Sequence, residues 1–129
     1  MARRWRKVRT RGSKASGRNV SPEWVEAELV GQAAIAQAAL FGEARPWNVA
    51  VIVPAGRAFD AASLQSSVDA VNATLPDYAK VSHWILATDA FTTTNGLLTA
   101  NGRNRREAIW NRYAEAVDRV YGDAQVRLA

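Results

Sequence analysis

Cysteine is absent from the chain, which excludes disulfide staples and thiolate chemistry. Histidine occurs once, at His83, so no histidine cluster is available to hold a metal, and His83 itself reads as a structural or surface residue in a strand. Asp77 and Asp89 have no partners at liganding or acid–base spacing, and no Ser-His-Asp pattern is visible. No apolar run approaches the roughly 20 residues that a membrane helix needs. The N-terminus is basic but lacks the apolar segment of a signal peptide. A cytoplasmic protein without bound metal is the expectation.

Acid is missing from one place in particular. Residues 1–18 carry eight bases (Arg3, Arg4, Arg6, Lys7, Arg9, Arg11, Lys14 and Arg18) and no Asp or Glu. The rest of the chain carries nine bases against twelve acids, so the overall +5 is a basic arm on a mildly acidic body. Such an arm can contact the phosphates of nucleic acid or of an anionic membrane. Trp5 alone offers little stacking surface, however, and no groove-reading motif follows. The arm, residues 1–16, is therefore read as a flexible, solubilising extension.

What is present suits one small domain: 129 residues, 48% hydrophobic, with five tryptophans. Ser21-Pro22 offers an N-cap hydroxyl and a proline at the first helical position. Trp24, Val25 and Leu29 supply apolar surface to a short helix that Gly31 ends. Residues 33–41 read as a buried strand, although their alanines also permit helix. The β-branched stretch 47–53 reads as a second strand, pairing with the first as a hairpin across a turn at 42–46. Asp60 caps a helix running to about Asn72, with Leu64, Val68, Val71 and Leu75 as its buried stripe. Ser82–Thr88 is the third strand, with Trp84 and Leu86 on one face. Ile109, Tyr113, Ala116 and Val120 mark a last helix from about Arg105. The fold class is α+β: a small three-stranded sheet with about three packed helices.

The chemistry-bearing stretch is Asn95 to Arg106. Gly102 permits a tight turn, and Arg103, Arg105 and Arg106 concentrate fixed positive charge beside a helix start. Guanidinium forks suit carboxylate and phosphate oxygens. A solvated basic loop is the alternative that these residues alone leave open.

The segment Thr99-Ala100-Asn101-Gly102-Arg103-Asn104-Arg105-Arg106 resembles the C-terminal lysine motif of adenylate-forming enzymes, which include acyl-CoA synthetases, peptide-synthetase adenylation domains and firefly-type luciferases. Thr99, Gly102 and Arg106 match that motif, while Arg103 stands where the family has its catalytic Lys. Gly17 to Glu26 resembles the start of the family's small C-terminal domain. Ile35 to Gly42 and Trp47 to Pro54 look like its two central strands, and Ile109 to Tyr121 is similar to its last helix. The likeness covers residues 17–122, with 123–129 as a tail, and is greatest to the long-chain fatty acyl-CoA ligase branch. In those relatives an apolar strand and a hinge precede the domain, whereas Arg9 to Ser16 here has no apolar alternation.

The resemblance implies a free-standing or excised C-terminal domain, inactive alone, that acts with an adenylating N-terminal domain or synthetase. ATP with Mg, and CoA or a phosphopantetheine carrier protein, would come with that partner. Arg103, with Thr99, Gly102 and Arg106, would serve acyl-adenylate formation. Gly17, Arg18 and Asn19 would line the CoA or pantetheine side. A non-catalytic binding or regulatory module in acyl or carrier-protein metabolism is the alternative. Apolar surface left unused by a docking domain could also drive a homodimer.

Overall fold

The computed structural model describes residues 21–42, 47–56 and 59–128, with side chains described as far as Arg119. The chain divides into two compact units, the first ending at Ala87 and the second beginning at Thr88.

In the first unit, helix α1 (Pro22–Val30) leads into strand β1 (Ile35–Phe41) and strand β2 (Asn48–Pro54). Helix α2 (Ala61–Asn72) and a 3-10 turn (Asp77–Ala79) then precede strand β3 (Val81–Leu86). The sheet order is β1-β2-β3. β1 runs antiparallel to β2, as the expected hairpin requires, with a one-residue irregularity between Ile35 and Gln37. The turn expected at 42–46 lies almost wholly outside the described residues. β3 runs parallel to β2, pairing Val49 with His83 and Ile52 with Leu86. A parallel neighbour needs a crossover, and α2 supplies it.

β2 is central because its residues are apolar on both sides: Val49, Ala50, Val51 and Ile52 are all fully buried. One core gathers Val25 and Leu29 of α1, Ala38 and Leu40 of β1, Ala50 and Ile52 of β2, and Leu64, Val68 and Val71 of α2. Leu75 completes the α2 stripe read from the sequence. Each fully buried Leu, Ile or Val in this set stabilises the fold by about 1.5–3 kcal/mol relative to exposure.

Polar side chains tie the layers together at few places. Glu26 is buried, and its carboxylate accepts a 2.7 Å hydrogen bond from the Leu40 N–H of β1. Asn72, on the last turn of α2, both donates to the Val81 carbonyl and accepts from the Val81 N–H at 2.8 Å. Its carboxamide thus acts as a strand partner where β3 begins. Asn48 donates to the Tyr78 and Lys80 carbonyls. The Gly42 backbone lies against the Asn48 side chain so closely that no Cβ fits between them.

Three expectations need correction. The Ser21 hydroxyl does not cap α1: it lies 3.3 Å from the Glu23 carboxylate, while the Ser21 carbonyl accepts from Trp24 N–H. Asp60, by contrast, caps α2 through a 2.9 Å bond from Ser63 N–H. Leu86 does not share Trp84's burial. It is 53% exposed because it ends an edge strand with a neighbour on one side only, whereas Trp84 packs on the core and donates to Gln65 at 2.7 Å. Trp24, read with Val25 and Leu29 as apolar surface of α1, is 39% exposed while those two are fully buried.

In the second unit, a loop leads to helix α3 (Arg106–Leu128). The Tyr113 hydroxyl accepts from Thr88 N–H at 3.1 Å, and Arg112 pairs with Asp89 at 2.9 Å. Both contacts fasten the start of the loop to the helix. Phe91, Leu97, Ile109, Tyr113 and Val117 are buried.

Candidate functional site

The loop from Thr92 to Arg105 is shaped by two Asn-Gly pairs, a dipeptide that favours turns. Gly96 and Gly102 both take positive φ, at 80° and 85°, where a side chain would be strained. The first turn is held by Asn95. Its carbonyl oxygen accepts from Thr92 N–H (3.0 Å) and Leu97 N–H (3.2 Å), and its amide donates to Ala90 O at 2.8 Å. The Thr92 hydroxyl returns a contact to Asn95 N–H. Nothing in the sequence marks Asn95 for this task, since only the folded loop shows a side chain bonded to three backbone groups.

The second turn carries the motif. Gly102 N–H donates to Thr99 O at 2.9 Å, which closes a tight turn, and the positive φ at Gly102 lets the chain reverse. Thr99 N–H then meets Arg103 O at 2.8 Å, and the Thr99 hydroxyl accepts from Arg103 N–H at 3.1 Å. This is the pattern of a three-residue hairpin loop with glycine in the left-handed position. Leu98 and Asn104 form an antiparallel bridge behind it, and Arg105 N–H bonds Leu97 O at 2.8 Å.

The arginines differ in circumstance. Arg103 and Arg105 are exposed, and neither guanidinium has a partner among the described residues. Arg106 is half-buried at the first position of α3 and makes interactions of its own. Thr99, Gly102 and Arg103 are therefore brought together through backbone and hydroxyl bonds, and Arg106 follows on the helix. Gly17, Arg18 and Asn19 lie outside the described residues.

His83 is half-buried, its ring tilted against Trp47 with centroids 5.7 Å apart. Among the described residues no group of three His, Cys, Asp or Glu side chains could hold a metal ion, and no helix is long and apolar enough to cross a membrane.

Three helices and a three-stranded mixed sheet make an α+β fold consistent with the small C-terminal domain of AMP-binding enzymes. The chain belongs to the AMP-binding enzyme C-terminal domain family, whose pattern matches residues 13–125. No curated protein matches it in sequence. Among solved structures it is similar to the A-PCP didomain of carboxylic acid reductase from Segniliparus rugosus in complex with AMP. That likeness has TM-score 0.75 and 25% identity over 84% of this chain and 17% of that one. The adenylation domain of the carboxylate reductase of Mycobacterium chelonae gives TM-score 0.71 and 26% identity, over 80% of this chain and 18% of that one. An acyl-CoA synthetase of Brucella canis shares the fold at TM-score 0.59 and 20% identity, over 78% of this chain and 18% of that one. The chain thus spans less than a fifth of the length of these relatives.

Proposed function

We propose that this chain works as an accessory domain in acyl-adenylate and thioester formation, together with an adenylating domain that carries the nucleotide and acid pockets. The observation that carries this reading is Arg103: an exposed guanidinium without a protein partner among the described residues, fixed through its backbone to Thr99 at the head of a glycine turn. In the first half-reaction a carboxylate oxygen attacks the α-phosphorus of ATP, and pyrophosphate leaves. Arg103 would hold anionic oxygens at that stage, with Thr99 and Gly102 setting its loop and Arg106 securing the loop to α3. In the second, a thiol attacks the acyl carbonyl, its proton passes to solvent and AMP leaves. Gly17, Arg18 and Asn19 would line that side. The Segniliparus didomain, solved in complex with AMP, supports the assignment to nucleotide-dependent acid activation.

ATP with Mg, and CoA or a phosphopantetheine carrier, are assigned to the partner's reaction. A fatty acid is the substrate class we read, from the likeness to the long-chain fatty acyl-CoA ligase branch. The setting is taken as cytoplasmic. A second reading, a binding or regulatory module without chemistry, is favoured by one observation, the guanidinium in place of an ammonium. Arg is planar and bulkier than Lys and does not reproduce its point charge.

The test adds the full chain to a synthetase deprived of its own small domain, with pyrophosphate release and thioester formation followed separately. Both should rise. Arg103→Lys should raise pyrophosphate release further, and Arg103→Ala should lower it, by up to about 10²–10³-fold if the contact is made only in the transition state. Thioester formation from preformed acyl-adenylate should not respond to residue 103. Binding without any gain in turnover, and indifference to Arg103→Ala, would select the regulatory module.

A further inference from the structure

Arg105 has no counterpart among the motif positions carried by Thr99, Gly102, Arg103 and Arg106, yet its surroundings match those of Arg103. Both side chains are exposed, and both lack partners among the described residues. They flank Asn104, the residue of an isolated antiparallel bridge, and the backbone is pinned in extended form on each side of it. The Arg103 carbonyl takes the Thr99 N–H, and the Arg105 N–H goes to the Leu97 carbonyl, each at 2.8 Å. These two bonds bracket the Leu98–Asn104 bridge.

In an extended strand, residues two apart project to the same side. Arg103 and Arg105 therefore leave the same face with Cα atoms about 6.6 Å apart, and Asn104 leaves the other. Two like charges held this close repel one another, and a shared anion relieves the repulsion. Each guanidinium offers a planar fork that can take two oxygens of one phosphoryl group. Two forks on one face suit two linked phosphoryl groups. Orthophosphate occupies only one.

We propose that Arg103 and Arg105 form a two-guanidinium clamp for a diphosphate, so that Arg105 is a second anion-holding residue beside Arg103. The clamp deepens the proposed role of Arg103, and rests on that reading for its place in catalysis. Its binding chemistry requires no partner domain. The diphosphate can come from free pyrophosphate or from the β and γ groups of a nucleoside triphosphate, and the two sources are separable.

The experiment titrates the full chain with inorganic pyrophosphate, orthophosphate, ATP and AMP while 15N-resolved NMR follows the Arg103 and Arg105 Nε–H groups. The amides of residues 3–18 are followed alongside, so that anion binding by the basic arm is seen separately. With pyrophosphate, both side chains and the amides of residues 102–105 should shift along one binding curve. Arg105→Gln and Arg103→Gln should each weaken that curve by about 1.5- to fivefold, the range for exposed charge contacts. Orthophosphate should bind more weakly and respond little to Arg105→Gln. ATP behaving like pyrophosphate, and AMP like orthophosphate, would identify the nucleotide's terminal phosphates as a source. Pyrophosphate binding without ATP binding would identify the free ion. Unchanged pyrophosphate binding in Arg105→Gln, or shifts confined to residues 3–18, would overturn the clamp. Failure to stimulate a partner with the clamp intact would overturn the accessory reading alone.

Discussion

The sheet unit and the arginine loop are held by different physics. In the sheet unit, burial dominates: Val25, Leu29, Ala50, Ile52, Leu64 and Val68 are nearly or fully excluded from solvent, and few buried polar groups interrupt them. In the loop, hydrogen bonds dominate. Thr92, Asn95 and Thr99 bond backbone groups around two glycine turns, while Arg103 and Arg105 stay exposed. Apolar burial is non-directional and tolerates small shifts, so it serves to make a platform. Hydrogen bonds to backbone are directional, and so they can aim a cation. The residues that hold the fold and those suited to chemistry are thus largely separate sets.

Substitutions in the two regions should then differ in kind. Ile52→Ala, in the central strand, should cost about 2–5 kcal/mol, seen as a lower denaturant midpoint. Equal damage from any single loop substitution would break the contrast. Glu26→Ala removes a buried bond to β1 and should cost about 1–3 kcal/mol, most of it regained in Glu26→Gln, which keeps an acceptor oxygen. Chemical denaturation of the two variants side by side checks this.

Gly102→Ala should cost about 1–2 kcal/mol locally. The added methyl meets nothing within 4 Å, so the penalty is the left-handed backbone itself. Amide exchange at Thr99 and Arg103 should quicken while that of Ile52 holds steady; a uniform change would show the loop coupled to the core.

The smallest effect concerns Asp60. Bonds from the Ser63 N–H, then the Ser63 hydroxyl, hold its carboxyl below the usual aspartate range. A lowered folded-state pKa means the unfolded chain binds the proton more readily. The cap's contribution is therefore full above the unfolded aspartate value of about 3.9 and is lost as pH falls through the lower folded value. Carboxyl NMR should find Asp60 titrating below the ordinary aspartate value, and Asp60→Ala should flatten that part of the stability profile. An ordinary midpoint would remove the cap from the account.

Periodicity made most of the sheet unit legible. The α2 stripe, the β-branched second strand and the Asp60 cap were all readable, because burial imposes a repeat that composition reveals. Boundaries moved by a residue or two: the third strand is 81–86, where 82–88 was expected. The tight turn at Gly102 was legible in the loop. Its construction was not, since Asn95 and Asn104 carry no periodic signal.

The sequence by itself determined the charge division between arm and body, the apolar second strand, the tight turn at Gly102 and the family to which the chain belongs. Each is a local property, written in residue type and spacing. Only the tertiary structure decided that β3 lies parallel to β2, that Leu86 is left in solvent, and that Ser21 bonds Glu23 in place of a helix end. It also decided that Arg103 and Arg105 flank the Leu98–Asn104 bridge. Each depends on which of several available partners a group takes, and hydrogen-bond partners are chosen by the folded chain as a whole.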